Sequence, residues 1–353
     1  MKMSDYIAEA LYAQGVRQVY ELVGGMITHL VDSIHRNGKL QLVSVHHEQA
    51  AAFAAEAAAR MTGVPGVALA TSGPGATNLL TGIGSCYFDS TPAVFITGQV
   101  NRDELRGDRP IRQLGFQETD IVTMAKPITK AAMQAGSAAE LPHLLAEAFR
   151  LAVSGRPGPV LLDIPMDLQR ADITAPLPAR IVPDAGPEVQ PAAVSALLHD
   201  LSRAERPLIL VGGGVRSAQA VDLLREFVDA AHVPVVNSLM GVDVLPFSHP
   251  LRVGLIGSYG NRWANLALGR ADFLLVLGSR LDIRQTGADT EAFRQGRTIY
   301  HVDCDQGEIN NRVLGSRALV ADLKPFLRAA LAEARTAALP ERVEWESEIA
   351  ELR

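Results

Sequence analysis

Cysteine is almost absent: Cys86 and Cys304 are the two in 353 residues, far apart and outside any Cys-x-x-Cys pair. That spacing indicates neither a disulfide framework nor a zinc site, so both read as buried or incidental thiols. Positive charge is also scarce. The formal net charge is -6, and Lys and Arg are scattered rather than gathered into a stripe that would track a phosphate backbone, so nucleic acid is not an expected partner. No uninterrupted apolar run reaches membrane-spanning length. The opening MKMSDYIAEALYAQGV reads as an amphipathic helix broken by charges, not as a basic start followed by an apolar core and cleavage site. A cytoplasmic protein without membrane contact is expected. Short-period repeats and low-complexity tracts are missing as well.

What is present is an ordinary globular composition, 48% hydrophobic and 20% charged, in a chain long enough for two domains that each bury a core. From Asp5 to Asp163, β-rich runs at Gln18 to Leu22, Leu42 to Val45, Gly66 to Thr71, Ala93 to Thr97 and Val160 to Ile164 alternate with helical patterns. A second alternation places strands at Leu208 to Val211, Val233 to Asn237, Phe273 to Gly278 and Thr298 to Asp303. Helices are expected around Ala218 to Ala231, Asn261 to Ala267 and Lys324 to Ala337. Between the two, Pro176, Pro178, Pro183, Pro187 and Pro191 break any long helix or central strand. The fold class expected is therefore α/β with two doubly wound parallel-sheet domains. The boundaries are 1–170 for the first, 171–190 for a Pro-rich linker, 191–338 for a Rossmann-like central domain, and 339–353 for a connector.

Four motifs stand out, three of them at strand-to-helix junctions. His46-His47-Glu48-Gln49 opens an Ala-rich helix in which Ala50 to Ala59 allows close packing. Glu48 there can complement the helix dipole, or serve as a carboxylate in apolar surroundings that exchanges a proton with a ring nitrogen of a flat heterocycle. A metal reading of His46 and His47 lacks further ligand spacing. Thr71-Ser72-Gly73-Pro74-Gly75-Ala76-Thr77-Asn78 sits at the carboxyl end of a parallel strand, where open α/β sheets bind ligands. Gly115-Phe116-Gln117-Glu118 closes a polar loop. Val211-Gly212-Gly213-Gly214-Val215-Arg216-Ser217 resembles G-x-G-x-x-G and is joined by Gly278 to Arg284 and His301 to Asp305 as positions for a nucleotide-type ligand.

Together these motifs resemble the acetolactate synthase family of thiamine-diphosphate enzymes, through His47 to Gln49, Thr71 to Asn78, Phe116 to Glu118 and Thr129-Lys130. Arg156-Pro157-Gly158-Pro159-Val160, Asp163-Ile164-Pro165, the Gly212 to Gly214 turn, Arg280, Asp282, Arg284, Asp303 and Asp305 continue the match in order along nearly the whole chain. The resemblance implies that domain one binds the pyrimidine half of thiamine diphosphate. Glu48 is then the residue that hydrogen-bonds the aminopyrimidine N1′ and favours the imino tautomer that takes the thiazolium C2 proton. Gln117 and Phe116 would line the reaction side, with Gly24, Gly25, Thr71, Ser72, Gly73 and Asn78 around the pyrimidine. Domain two resembles the family's central domain, which holds FAD in acetolactate synthases and ADP or nothing in other relatives. Arg156, Gly212, Gly213, Gly214, Arg280, Arg284 and Asp303 fall in the matching motifs.

Three departures accompany the match. Glu21 and Val23 replace a Gly and a Pro, which leaves the donor and acceptor substrates open; Gly257-Ser258-Tyr259-Gly260-Asn261 replaces Gly-x-His-Gly-Thr, which leaves FAD open. The family's Gly-Asp-Gly with paired Asn, which holds Mg2+ and the diphosphate on a C-terminal domain, does not occur in these residues. The resemblance thus implies a fragment or split subunit that needs a C-terminal partner domain, works as a dimer or tetramer, acts on a 2-oxo acid such as pyruvate, and is inactive alone. The competing reading is a non-catalytic or regulatory nucleotide-binding protein, which would not need Glu48. A nicotinamide dehydrogenase would want an acidic residue where Asn237 stands.

Overall fold

The computed structural model describes residues 1–183, 186–337 and 339–353, and divides into two compact units, Met1–Asp184 and Ala185–Arg353. In the first, β1 (Gln18–Leu22), β2 (Gln41–Ser44), β3 (Gly66–Ala70), β4 (Ala93–Gln99), β5 (Ala131–Gln134) and β6 (Pro159–Pro165) form one six-stranded sheet of order β2-β1-β3-β4-β6-β5, every pairing parallel. Strands β3, β4 and β6 are buried along their whole length, which is why they read as continuous apolar runs rather than alternating ones.

Helices cover both faces. Met3–Ala13, Thr28–Asn37 and Leu141–Val153 pack on one through Ile7, Leu30, Leu145 and Phe149. Glu48–Thr62 and Leu80–Phe88 cover the other through Ala52, Ala55 and Ile83. The Ala-rich helix is indeed close-packed: a Cβ on Gly66 would stand 1.9 Å from the Ala55 carbonyl oxygen, and one on Gly82 would stand 2.3 Å from Ala52 Cβ.

The second unit holds β7 (Pro207–Val211), β8 (Val235–Asn237), β9 (Arg252–Leu255), β10 (Phe273–Leu277), β11 (Thr298–Asp303) and β12 (Arg317–Val320) in the order β12-β11-β10-β7-β8-β9, again all parallel. Counted within the unit, that is the 3-2-1-4-5-6 order of a dinucleotide-binding sheet.

Three strands escape the sequence pattern: β5, β9 and β12, all at sheet edges. An edge strand buries less and so carries a weaker apolar signature; β5 reads Ala-Ala-Met-Gln, and β9 carries Gly254 at φ 146° beside a register shift.

The Pro-rich segment begins by following the first unit. Tyr6 Oη donates to the Pro176 carbonyl (3.0 Å), and Gln14 binds Ala179 O (2.9 Å) and Ile181 N (2.8 Å). Asp184 and Ala185 of the linker, and the boundary at Ala338, lie outside the described residues. The stretch read as a connector differs from that expectation. Val343–Leu352 is a helix of the second unit, because Trp345 (2% exposed) and Ile349 bury against Ala264 and Leu268 while Trp345 Nε1 donates to Pro207 O at 3.0 Å. Among the described residues, no helix is long and apolar enough to cross a membrane.

Candidate active site

In the first sheet, chain direction reverses its lateral progress between β1 and β3, so the carboxyl ends of these two strands open a crevice at the topological switch. The β1 turn delivers Gly24 and Gly25, and the β3 turn delivers Thr71 to Asn78. A Cβ at Gly24 would lie 2.5 Å from Thr71 Cβ, and the Met26 amide donates to Thr71 Oγ1 at 3.2 Å, which fastens the two turns together. Gly25 has nothing within 4 Å of where its Cβ would be, so the crevice is open above it.

Glu48 enters from β2. His47 caps the helix in extended conformation, its Nδ1 accepting from the Gln49 amide at 3.1 Å, and Glu48 takes the first turn. Its carboxylate complements the helix dipole and is 6% exposed, with Asn78 Nδ2 donating to its Oε2 at 2.8 Å. Its Oε1 faces Gly75, where an added Cβ would come within 3.1 Å. Ser72 is buried, and its Oγ has no hydrogen-bond partner.

Gln117 joins from the polar loop. It adopts φ 61°, uncommon for a residue with a Cβ, and faces Gly73 at φ 65°, where a Cβ would sit 2.8 Å from Gln117 Cβ. Phe116 beside it is 74% exposed. The loop is folded around Glu118, whose carboxylate accepts from Arg106 N (2.8 Å) and Leu114 N (2.7 Å). Two contributors are thus easy to overlook in sequence, Gly75 for the space it leaves and Glu118 for the loop it organises. The signal for Glu118 is its place directly after Phe-Gln.

Two departures take physical form here. Glu21 is 1% exposed on β1, receives the Ser44 hydroxyl on Oε1, and keeps Oε2 buried without a partner, whereas Val23 is exposed.

The structure therefore brings together Glu48, Gly24, Gly25, Thr71, Ser72, Gly73, Asn78 and Gln117, with Phe116 exposed next to Gln117 in the chain. Models of the thiamine pyrophosphate enzyme N-terminal TPP binding domain and central domain match residues 1–124 and 194–330. The chain belongs to the thiamine pyrophosphate enzymes. It is 36% identical over 359 residues to a probable acetolactate synthase large subunit of Methanocaldococcus jannaschii, covering 100% of this chain and 59% of that protein. It is 39% identical to the acetolactate synthase isozyme 2 large subunit of Escherichia coli, covering 93% and 58%, and 38% identical to acetolactate synthase 2, chloroplastic, of Nicotiana tabacum, covering 93% and 49%. The chain spans about half the length of these relatives.

The first-unit crevice fits the pyrimidine half of thiamine diphosphate: a buried carboxylate with one oxygen already oriented, an orphaned buried hydroxyl at Ser72, and glycines where a Cβ would fill the space. The remaining candidates lie elsewhere. Arg156 precedes β6, at the opposite end of the sheet, with its Nε donating to Ser90 Oγ at 2.8 Å.

In the second unit, Gly212 N and Gly214 N donate to Leu277 O (2.9 Å) and Gly278 O (3.0 Å), so these glycines let two turns approach closely rather than offering their amides to a phosphate. A Cβ at Gly213 would come within 3.0 Å of Met240 Cβ. Arg280 lies 3.8 Å from Asp282, and Asp303 Oδ1 accepts from Asp305 N at 2.9 Å. Arg284 lines a separate cavity of about 370 Å³ with Gly257, Ser258, Asn265 and Arg297.

Proposed function

We propose that this chain is the pyrimidine-binding and central part of a cytoplasmic, acetolactate synthase-like carboligase that decarboxylates a 2-oxo acid such as pyruvate and joins the product to a second carbonyl compound. The observation that carries this reading is the buried Glu48 carboxylate, fixed on one oxygen by Asn78 and facing Gly75 with the other at the mouth of the β1–β3 crevice. When bound, thiamine diphosphate supplies an electron sink that stabilises a carbanion. The protein's share is to hold and move a proton at Glu48, to place Gln117 beside Gly73, and to keep the site dry. Thr71, Ser72, Gly24 and Gly25 would hold the pyrimidine edge.

The Mg2+ and diphosphate would be held by a C-terminal domain, in the same polypeptide or in a partner subunit, and the assembly would be a dimer or tetramer. FAD would belong to the central unit. Without the diphosphate anchor the 353 residues would bind the cofactor weakly and turn over nothing.

Calorimetric titration with thiamine diphosphate and Mg2+ tests this, first on the chain alone and then together with a domain carrying Gly-Asp-Gly and paired Asn. Binding only by the completed protein, followed by acetolactate formation from pyruvate, is expected. Tight binding by the 353 residues alone would overturn the half-site reading.

A further inference from the structure

Asp163 on β6 is fully buried, and among the described residues its carboxylate is bound by neutral donors. Thr97 Oγ1 donates to Oδ1 at 2.6 Å, while Gln99 Nε2 and Gln134 Nε2 donate to Oδ2 at 3.0 and 2.8 Å. Thr97 and Gln99 are on β4 and Gln134 ends β5, so three adjacent strands converge on one carboxylate at their carboxyl ends. A buried carboxylate with neutral partners is a poor way to gain stability, since an apolar side chain would fill the space without the desolvation cost. Its geometry has another consequence.

The Gln99 amide is held at every polar atom. Nε2 donates both to Asp163 and to the Thr119 carbonyl, at 2.8 Å, and Oε1 accepts from Val100 N at 3.1 Å. Thr119 is the end of the loop that carries Phe116 and Gln117, and its Oγ1 donates to the Gln117 carbonyl at 3.3 Å. At its start the loop is tied by Arg102 to Asp167. Between those ties it is stiffened by Glu118 and by Gly115 N to Glu104 O at 2.9 Å. A left-handed Gln117 persists only if the chain on both sides is held.

We propose that Asp163 is a positioning residue: through Gln99 it fixes the peptide at Thr119 and thereby the placement of Gln117 against Gly73, without touching the ligand. This rests on the reading above in one respect, that Gln117 serves the site.

Hydrogen exchange followed by mass spectrometry on the full chain separates this role from a merely structural one. Gln99→Leu and Gln134→Leu each remove one bond from Asp163, but only Gln99 reaches the loop. Gln99→Leu is expected to speed exchange of amides 104–119 by roughly three- to tenfold, and Gln134→Leu to leave them within about twofold. Asp163→Asn should preserve the loop, because its one carbonyl oxygen can accept from both glutamines while the Thr97 hydroxyl turns round to accept from the amide. Asp163→Leu should match Gln99→Leu.

In the protein completed with its diphosphate-binding domain, Gln99→Leu should lower kcat by a similar factor with little change in KM for thiamine diphosphate. Equal effects of Gln99→Leu and Gln134→Leu, an unmoved loop in Gln99→Leu, or a loosened loop with unchanged kcat would each overturn the proposal. A wild-type protein that never binds the cofactor would instead sink the functional reading, and the exchange comparison would still decide whether Asp163 anchors Gln117.

Discussion

Asn78 Nδ2 donates a 2.8 Å hydrogen bond to Glu48 Oε2 across two separate strand-helix junctions. The bond fixes the carboxylate's rotamer and leaves Oε1 directed at Gly75, so two motifs thirty residues apart meet at one carboxylate. In the completed protein, Glu48→Gln should keep the Asn78 contact and the fold yet slow exchange of the cofactor's C2 proton by about 10²- to 10⁴-fold. An unchanged exchange rate would remove Glu48 from the chemistry.

Gly75 and Gly66 separate function from folding. An added Cβ at Gly66 meets the Ala55 backbone at 1.9 Å, so Gly66→Ala should cost roughly 1–3 kcal/mol in urea denaturation. At Gly75 the nearest obstacles are side-chain atoms of the site rather than backbone, Thr71 Cγ2 at 2.8 Å and Glu48 Oε1 at 3.1 Å. Gly75→Ala should therefore weaken cofactor binding about tenfold while changing stability little, the scale of one mis-set hydrogen bond. Comparable losses of stability in both variants would contradict this.

Burial raises the Asp163 carboxyl above its ordinary range, with Asp120 adding to the rise and the Thr97, Gln134 and Gln99 donors opposing it. A raised native pKa means that the native state holds the proton longer than the unfolded chain does. This group's contribution to stability is therefore greatest below the ordinary carboxylate value of about 3.9 and is lost as pH rises through the raised one. Asp163→Asn cannot ionise, so its stability relative to wild type should climb between those two values and then level off. Urea midpoints followed by circular dichroism from about pH 4 to about pH 8 measure the difference. A flat difference would mean that the carboxyl titrates alike in both states.

Both tryptophans, Trp263 and Trp345, belong to the second unit, so their fluorescence reports its unfolding. Trp345→Ala should destabilise that unit by about 3–5 kcal/mol, with Trp263 left as the reporter. Ending the chain after Pro340 should have a comparable effect. A truncated chain of unaltered stability would return this segment to the status of a connector.

The strand-helix alternation of both units, and the motifs that carry the family resemblance, are local features, and short-range chemistry wrote them into the sequence: apolar runs where strands bury both faces, glycines where turns must pass close to a neighbour. Glu48, Thr71, Ser72 and Asn78 could be picked out because each stands at a strand-to-helix junction, where ligands gather. Strand order could not be read there. The switch between β1 and β3, the pairing of Asn78 with Glu48, the contact of Gln117 with Gly73 and the burial of Trp345 all join segments distant in sequence. The same applies to Gly212 and Gly214, whose local pattern suggests a nucleotide-type ligand, while Leu277 and Gly278, distant in sequence, accept their amides. Hydrogen bonds and packing across such distances depend on which strands become neighbours, and that is decided by the collapse of the whole sheet, not by any one segment.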